Sequence, residues 1–125
     1  MMSVLNSSDQ EISGEMPKVE YSDFAKLDLR VGEVVTAIAP DWSNKLLQLT
    51  VNFGDPLGEK TIFAGVKKYY QPADLIGHKY VFVANLAEKK LGQGISQGMM
   101  LMGDVDGQPV KFELPTELTI GSSVR

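Results

Sequence analysis

The sequence predicts an all-β fold in which five strands close into a small barrel. Five segments are rich in β-branched and other apolar residues, and each is bounded by turn-forming Gly, Pro, Asn or Asp. The one connection with helical character lies between the third and the fourth segment. The 125 residues are enough for a single domain with its own hydrophobic core.

The first three strands follow from residue type and alternation. Residues 29–39 are rich in β-branched residues, and Gly32 within them is predicted to form a bulge or a strong bend. Residues 45–53 alternate apolar and polar side chains, which is typical of a half-buried strand. Residues 60–64 come after a turn and are expected to pair with residues 45–53 as a hairpin. The loop at 40–44 joins strands one and two.

The second half of the chain continues the same pattern. A short helical connection at 67–77 leads to strand four at 78–85 and then to a loop at 86–97. Strand five follows at 98–103, a turn at 104–107 and a further strand at 110–114. Five strands with a helix after the third is the order of the OB-fold, a five-stranded Greek-key barrel. Ligands of that fold bind on strands two and three, between the loop that follows strand one and the loop that follows strand four.

The two ends of the chain are predicted to differ from the barrel. Residues 1–20 lack a sustained apolar period and are expected to form a mobile acidic tail, so the domain spans residues 21–125. Residues 21–27 include a potential capping residue, Ser22, and predict one helical turn that plugs an end of the core. A C-terminal extension with short, partly apolar segments is expected from about residue 104.

Composition argues against several classes of function. The absence of cysteine and the single histidine leave no disulfide framework and no imidazole cluster for zinc, so no metal site is predicted. No nucleophile, dinucleotide or phosphate-loop motif is present, and therefore neither catalysis nor a cofactor is expected. With no signal peptide and no apolar run of about 18 residues, we expect a cytoplasmic protein without a membrane span.

Charge is distributed unevenly along the chain. The net charge is −4, which does not favour binding of nucleic acid by bulk electrostatics. The first 20 residues hold four acidic residues against Lys18, a charge of −3, which leaves only −1 for the remaining 105 residues. Lysines form two adjacent pairs in this body, at 67–68 and 89–90, and Lys45 and Lys60 lie near strand starts. Local cationic patches therefore remain available.

The predicted loop at 86–97 has the composition of a binding loop. It contains the pair Lys89 and Lys90, two glycines and Ser96. Cations attract phosphates, a hydroxyl forms polar contacts, and glycines let a backbone approach its ligand closely. The loop is predicted to bind a ligand and not to catalyse a reaction.

With these residues placed, the chain resembles the family of tRNA-binding domains that stand alone or are appended to methionyl-tRNA synthetases. The resemblance extends over residues 21–125 and rests on motifs in the same order: Asp23-Phe24, Asp28-Leu29-Arg30-Val31-Gly32, Lys45-Leu46, Ala64-Gly65-Val66, Tyr69-Tyr70, Asn85-Leu86 and Ser96-Gln97-Gly98-Met99. The resemblance implies an OB-fold, tRNA as partner, and a homodimer that recognises tRNA by shape. A synthetase acting in trans, with methionyl-tRNA synthetase as the candidate, is a further partner that it implies.

The resemblance also implies which residues contact tRNA. Carried over position by position, they are Lys45, Lys89, Lys90, Ser96 and Met99, and Asn85 of the Asn85-Leu86 motif is included with them. Lys60 is added because the face of strands two and three would present it to phosphates, and Trp42 because a tryptophan in the first loop could stack on an unpaired base. The chain departs from the family pattern where Glu88 precedes the lysine pair and where Gly92-Gln93 follow it.

Several of these assignments have alternatives. Ser96 could simply end a turn, Met99 could pack inside the barrel, and Trp42 could fold back on its own barrel. Tyr69 and Tyr70 are expected to cover an end of the barrel or to form a dimer contact, with stacking on RNA as the less favoured alternative. The function predicted from sequence is that of a non-catalytic, homodimeric tRNA-binding adaptor for a synthetase. The alternative is a chaperone-like homodimer of the same fold that binds unfolded polypeptide, for which the run Met99–Met102 offers adaptable apolar side chains.

Overall fold

The computed structural model describes residues 14–125, and most of the predicted acidic tail at 1–20 lies outside that range. The barrel strands are β1 (Leu29–Ile38), β2 (Leu47–Asn52), β3 (Glu59–Ala64), β4 (Lys79–Val83) and β7 (Met99–Met100). They are hydrogen-bonded in the order β3-β2-β1-β4-β7. This is the predicted all-β, OB-type barrel, nearly closed on itself.

Shorter elements decorate the barrel. They are α1 (Tyr21–Phe24), a 3-10 turn (Pro72–Asp74), and the strands β5 (Lys89–Leu91), β6 (Gly94–Ser96), β8 (Met102–Val105), β9 (Gln108–Lys111) and β10 (Ser123–Val124). β5 pairs with β6, and β8 pairs with β9, so each pair is a separate antiparallel hairpin. β10 returns to pair with the start of β1.

The core fills the barrel with side chains from alternate positions of the strands. Leu47, Leu49 and Val51 of β2 are completely buried, whereas the residues between them are half-buried on the outer face. β3 does not alternate in this way: Ile62, Phe63 and Ala64 are all buried, and the register pairs Leu49 with Ile62 on the inside. On the outer face of the two strands, Gln48, Thr50 and Thr61 remain partly exposed, whereas Phe63 is covered.

Gly32 has a different role from the predicted one. The irregularity of β1 lies between Val34 and Thr36, where the register with β2 shifts, and not at Gly32. A Cβ atom at Gly32 would collide with the side chains of Phe53 and Phe82, among others. The glycine is needed because buried aromatic side chains pack directly against the backbone there.

Three further local predictions differ from the structure in detail. The connection at 67–77 has helical character only in the 3-10 turn at Pro72–Asp74. The loop at 86–97 folds in large part as the β5–β6 hairpin. α1 does form at the predicted place, but none of its residues is buried and its N-cap, Glu20, makes no side-chain cap, so it does not plug the core.

Candidate nucleic-acid interface

The outer face of β2 and β3 forms the floor of a groove. The register places Gln48 beside Phe63, and Thr50 beside Thr61, with these four side chains on the face of the two strands that points away from the barrel core. The groove has a volume of about 420 Å³, and its second wall comes from Glu88, residues 93–95 and Gln97. A polar floor with one aromatic side chain suits a ligand that offers both hydrogen-bonding groups and flat faces.

The β5–β6 hairpin is held over this groove by aromatic packing. The rings of Trp42 and Phe63 lie with their centroids 5.7 Å apart, at an interplanar angle of 54°. The hairpin backbone approaches both rings closely: a Cβ at Gly92 would collide with Trp42, and one at Gly94 would collide with Phe63. The two glycines therefore let the hairpin dock flat on the aromatic pair.

Lys89 and Lys90 project from the outer strand of this hairpin. Both are exposed, and they pair in register with Ser96 and Ile95 of β6. Because neighbouring residues of a strand point to opposite faces, the two ammonium groups diverge and can reach two different phosphates. Within residues 14–125, neither Nζ atom makes an ion pair or a hydrogen bond with the protein.

The cationic side chains of the domain divide into two groups. One group is held by the protein's own oxygen atoms: Lys26, Arg30, Lys67, Lys79 and Lys111. Lys67, for example, donates from Nζ to the carbonyl oxygens of Pro40 and Ser43 and so fixes the loop that carries Trp42. The lysines without such a partner within residues 14–125 include Lys45, Lys60, Lys68, Lys89 and Lys90.

Ser96 is buried and helps to close the barrel. Its Oγ accepts a hydrogen bond from the backbone N–H of Phe63 at 3.0 Å and donates to the carbonyl oxygen of Gly98 at 3.1 Å. Gln97 continues the seam, because its backbone N–H and its side-chain oxygen both bond to the backbone of Thr61, each at 2.8 Å. These bonds join β3 to the segment before β7, where no regular strand ladder is formed.

Asn85 is also engaged with the protein itself. Its Oδ1 accepts a hydrogen bond from the N–H of Asp28 at 2.8 Å, and its Nδ2 donates to the carbonyl oxygen of Lys26 at 2.8 Å. The side chain therefore pins the segment between α1 and β1 to the end of β4. Both functional atoms of the amide are occupied in this arrangement.

The remaining predicted residues lie at other edges of the barrel. Lys60 pairs with Val51, and strand alternation puts it on the core side of β3, at the end of the strand away from Lys45. Met99 is 46% exposed and lines a second groove of about 490 Å³ between the end of β3 and the β8–β9 turn. The structure thus brings Trp42 close to the hairpin that bears Lys89 and Lys90, but it separates Lys60 from that group.

Lys45 lies in a third depression, which sequence analysis had not assigned as a site. Its lining consists of Lys45, Leu46, Gly65, Lys68 and Tyr69, and its volume is about 290 Å³. Lys68 and Tyr69 were visible in the sequence as part of a lysine pair and a tyrosine pair. The structure distinguishes the members of each pair: Lys67 and Tyr70 form side-chain hydrogen bonds with the protein, whereas Lys68 and Tyr69 form none within residues 14–125.

Ionisable side chains do not gather into a reactive centre in the part of the chain that the structure describes. Residues 14–125 contain no group of three or more His, Cys, Asp or Glu side chains that could hold a metal ion. His78 pairs with Glu113 at 2.7 Å on the surface. Over the same residues, no helix is both long and apolar enough to cross a membrane.

Comparison with protein families gives a match over most of the domain. Residues 29–123 match the family described as "Putative tRNA binding domain". The chain belongs to this family. The match begins at β1 and ends at β10, so it contains all eight residues predicted to contact tRNA and leaves α1 outside.

Some relatives in this tRNA-binding domain family are much longer than this chain. The chain is 44% identical over 96 residues to a methionine–tRNA ligase from Herminiimonas arsenicoxydans, a match that covers 76% of the chain but only 13% of the ligase. The chain therefore spans a small part of the length of the curated relatives that it matches.

Two solved structures have the same barrel over the whole of their chains. A MetRS-related protein from Pyrococcus horikoshii is 32% identical with a TM-score of 0.83, and the match covers 88% of this chain and all of that one. The chaperone CsaA from Bacillus anthracis is also 32% identical, with a TM-score of 0.77 and coverage of 87% and 100%. The tRNA-binding domain fold is thus shared by proteins whose names indicate different roles.

Proposed function

We propose that this protein binds tRNA through the groove on β2 and β3 and through the β5–β6 hairpin, without catalysing a reaction on it. The observation that carries the proposal is the hairpin itself, which holds Lys89 and Lys90 beside the groove with no ion pair to either ammonium group within residues 14–125. Glu88 also lines the groove, where its carboxylate accepts a hydrogen bond from Gln97. Membership of the tRNA-binding domain family supports RNA as the anionic ligand.

The contacts available in the groove favour recognition of backbone and shape over recognition of base sequence. Lysine ammonium groups are point charges that bind phosphates of any nucleotide. Folded RNA presents ribose hydroxyls and phosphates on its outside, and a groove with Gln and Thr side chains can bond to them. Tight discrimination between tRNAs is therefore not expected from this surface alone.

Two residues of the predicted site act indirectly in this proposal. Ser96 and Asn85 use their polar atoms within the protein, so they position the hairpin and the end of β4 while other groups touch RNA. Trp42 fills the same kind of role, because its ring supports the hairpin. In this proposal, the residues that contact RNA directly are Lys45, Lys89, Lys90 and Met99, and Lys60 lies at the edge of the interface.

The proposal includes a homodimer that serves as an adaptor for a synthetase. Strand alternation places Gly103, Val105, Val110 and Phe112 on the outward face of the β8–β9 hairpin, where Val105 is 58% and Phe112 54% exposed. An exposed apolar sheet face of this kind is typical of a subunit contact. In the cytoplasm, the dimer would deliver or retain tRNA for a synthetase in trans, with methionyl-tRNA synthetase as the first candidate.

A second candidate function is binding of unfolded polypeptide. The similarity to the chaperone CsaA and the exposed apolar face of the β8–β9 hairpin favour it. In that case the apolar face and Met99 would bind the polypeptide, and the lysines of the β5–β6 hairpin would have no part in it.

Charge reversal on the β5–β6 hairpin separates the two functions. We expect the double variant Lys89→Glu, Lys90→Glu to lose at least roughly 10-fold in tRNA affinity, because two phosphate contacts become repulsive. The matched control reverses Lys18 and Lys26, which are exposed lysines outside the groove. Gel shifts with tRNA and binding of a reduced, unfolded protein would be measured for both variants. Equal tRNA affinity in the hairpin variant and the wild type would refute the proposal.

A further inference from the structure

The depression around Lys45 is shaped as a separate small site. It lies at the end of the barrel where β2 begins and β3 ends, and it holds about 290 Å³. Leu46, Gly65 and the ring of Tyr69 form its apolar walls, and the side chains of Lys45 and Lys68 stand at its rim. This is a different surface from the groove on β2 and β3, whose lining has no residue in common with it.

The two lysines at the rim are positioned by the backbone but are not neutralised. The N–H of Lys67 donates to the carbonyl oxygen of Lys45 at 3.0 Å, which brings residue 68 next to residue 45. Lys67 itself binds the loop at 40–44 through its ammonium group, whereas Lys45 and Lys68 have no side-chain partner within residues 14–125. No acidic residue lines the depression. Two positive charges that line one depression without an acidic residue favour an anion.

Tyr69 offers a free aromatic face beside these charges. Its backbone is fixed by a hydrogen bond to the carbonyl oxygen of Val66 at 2.9 Å, and its side chain is 47% exposed. Within residues 14–125, its ring does not pair with another aromatic ring. Tyr70 is different, since its hydroxyl bonds to the carbonyl oxygen of Pro109 and its ring lies under Lys111.

Gly65 has no structural reason to be a glycine. Its φ angle is not in the left-handed region, and a Cβ atom built on it would have no neighbour within 4 Å. In the second respect it differs from Gly32 and Gly94, where a side chain would collide with buried side chains. Gly65 lines the depression, and a side chain there would occupy open space.

We propose that this depression binds a single unpaired nucleotide of an RNA ligand. The base lies over Gly65 against the ring of Tyr69, and the adjoining phosphate lies between Lys45 and Lys68. An unpaired base is required because a base inside a duplex has no free face for stacking. Gly65 and Tyr69 also line the groove that leads to Met99, so the RNA strand has a continuous path onward. This inference rests on the proposed function and adds the class of RNA element that the protein recognises.

The test is an NMR titration of the isotope-labelled protein with a single-stranded RNA of five nucleotides. A blunt RNA duplex of similar charge is the control ligand. We expect the single strand to shift the amide signals of Gly65, Lys68 and Tyr69, and the duplex to leave them in place. Tyr69→Ala should weaken single-strand affinity by roughly 5- to 100-fold, the range for loss of one stacked base. Tyr69→Phe should retain it, because the ring remains.

Gly65→Val supplies the second variant, since its side chain would fill the depression without a collision in the barrel. We expect an unchanged spectrum outside the site and loss of the single-strand shifts, with tRNA still bound through Lys89 and Lys90. Equal single-strand affinity in wild type, Gly65→Val and Tyr69→Ala would overturn the inference and leave tRNA binding by the hairpin intact. Failure of the wild type to bind tRNA at all would instead overturn the proposed function, and this inference with it.

Discussion

Ser96 shows how a residue of a binding motif can act through the fold. Its buried hydroxyl accepts a hydrogen bond from the N–H of Phe63 and donates one to the carbonyl oxygen of Gly98. Phe63 forms part of the groove floor and supports the hairpin, so a change at Ser96 reaches the interface indirectly. A loss of RNA binding in a Ser96 variant would not by itself show contact with RNA.

Replacement of this hydroxyl is therefore expected to lower stability first. Ser96→Ala leaves the N–H of Phe63 without its acceptor, and we predict that the free energy of unfolding falls by about 1 to 3 kcal/mol. Urea denaturation measures this change, with the exposed Ser123→Ala as the matched control. A Ser96→Ala protein of wild-type stability that no longer binds tRNA would show direct contact instead.

Tyr80 is the residue for which the structure predicts a pH dependence. It is completely buried in the core, and within residues 14–125 its hydroxyl has no hydrogen-bond partner. Burial, assisted by the negative charge of Glu113, raises the pKa of Tyr80 from 10.0 to about 12. The unfolded chain therefore loses this proton at a lower pH than the folded protein does.

The sign of the effect follows from this difference in pKa. The contribution of Tyr80 to stability is complete below pH 10 and is lost as the pH rises from 10 towards 12, by on the order of 2 kcal/mol. Tyr80→Phe should remove this loss and should be neutral or slightly stabilising at pH 7, because no hydrogen bond is broken. Urea denaturation of both proteins at pH 7 and pH 11 checks it. A large loss of stability at pH 7 would show that the hydroxyl has a partner.

At the scale of elements, the β5–β6 hairpin is the unit on which the proposed function depends. It is attached to the barrel through close contact of Gly94 with Phe63 and of Gly92 with Trp42. We predict that Gly94→Val displaces the hairpin, exposes Trp42 and weakens tRNA binding, while the barrel core stays folded. Trp42 emission should shift to longer wavelength.

Ala87→Ser, an exposed change just before the hairpin and outside the groove lining, is the control for the hairpin variant. The emission spectrum, the unfolding curve and the tRNA affinity would be measured for both variants. A Gly94→Val protein with displaced emission but undiminished tRNA affinity would contradict a role for the hairpin in binding.

The elements also show what sequence can and cannot predict. β1 to β4 were found within two residues at each end, because long segments with buried alternate positions leave a clear pattern. The β5–β6 hairpin was missed as a hairpin, since strands of three residues leave no recognisable alternation. The exposed lysines in it were nevertheless visible by residue type alone.

Partners within the fold could not be predicted from residue type. Lys67 and Lys68 look equivalent in the sequence, yet one fixes a loop and the other stands at the rim of a depression. Asn85 reads as a polar residue free for RNA, but backbone groups of Asp28 and Lys26 occupy its amide. Such roles depend on contacts between residues more than 20 positions apart.

At the scale of the whole molecule, the outward face of the β8–β9 hairpin makes the dimer testable. We predict that Phe112→Asp converts a dimer of 13.7 kDa subunits into monomers, because a charge would be buried in an apolar contact. Phe112 is 54% exposed in the subunit, so the fold itself should survive. Sedimentation at micromolar concentration reports the change.

Thr36→Asp, at an exposed position of β1, is the matched control for this variant. If the wild type already sediments as a monomer, or if Phe112→Asp still forms dimers, the subunit contact does not lie on this face. Binding of tRNA by a monomer would then require the groove alone.

The measurement that tests the central claim most directly is a titration of unfractionated tRNA into the purified protein at two salt concentrations. Trp42 fluorescence and gel shifts follow binding in parallel, with a plain RNA duplex as the control ligand. We predict saturable binding that prefers tRNA and weakens as salt rises. The logarithm of the binding constant should fall with the logarithm of the salt concentration, with a slope of roughly 0.7 to 0.9 per phosphate contacted. No binding of tRNA by either method, or equal binding of the duplex, would contradict the account.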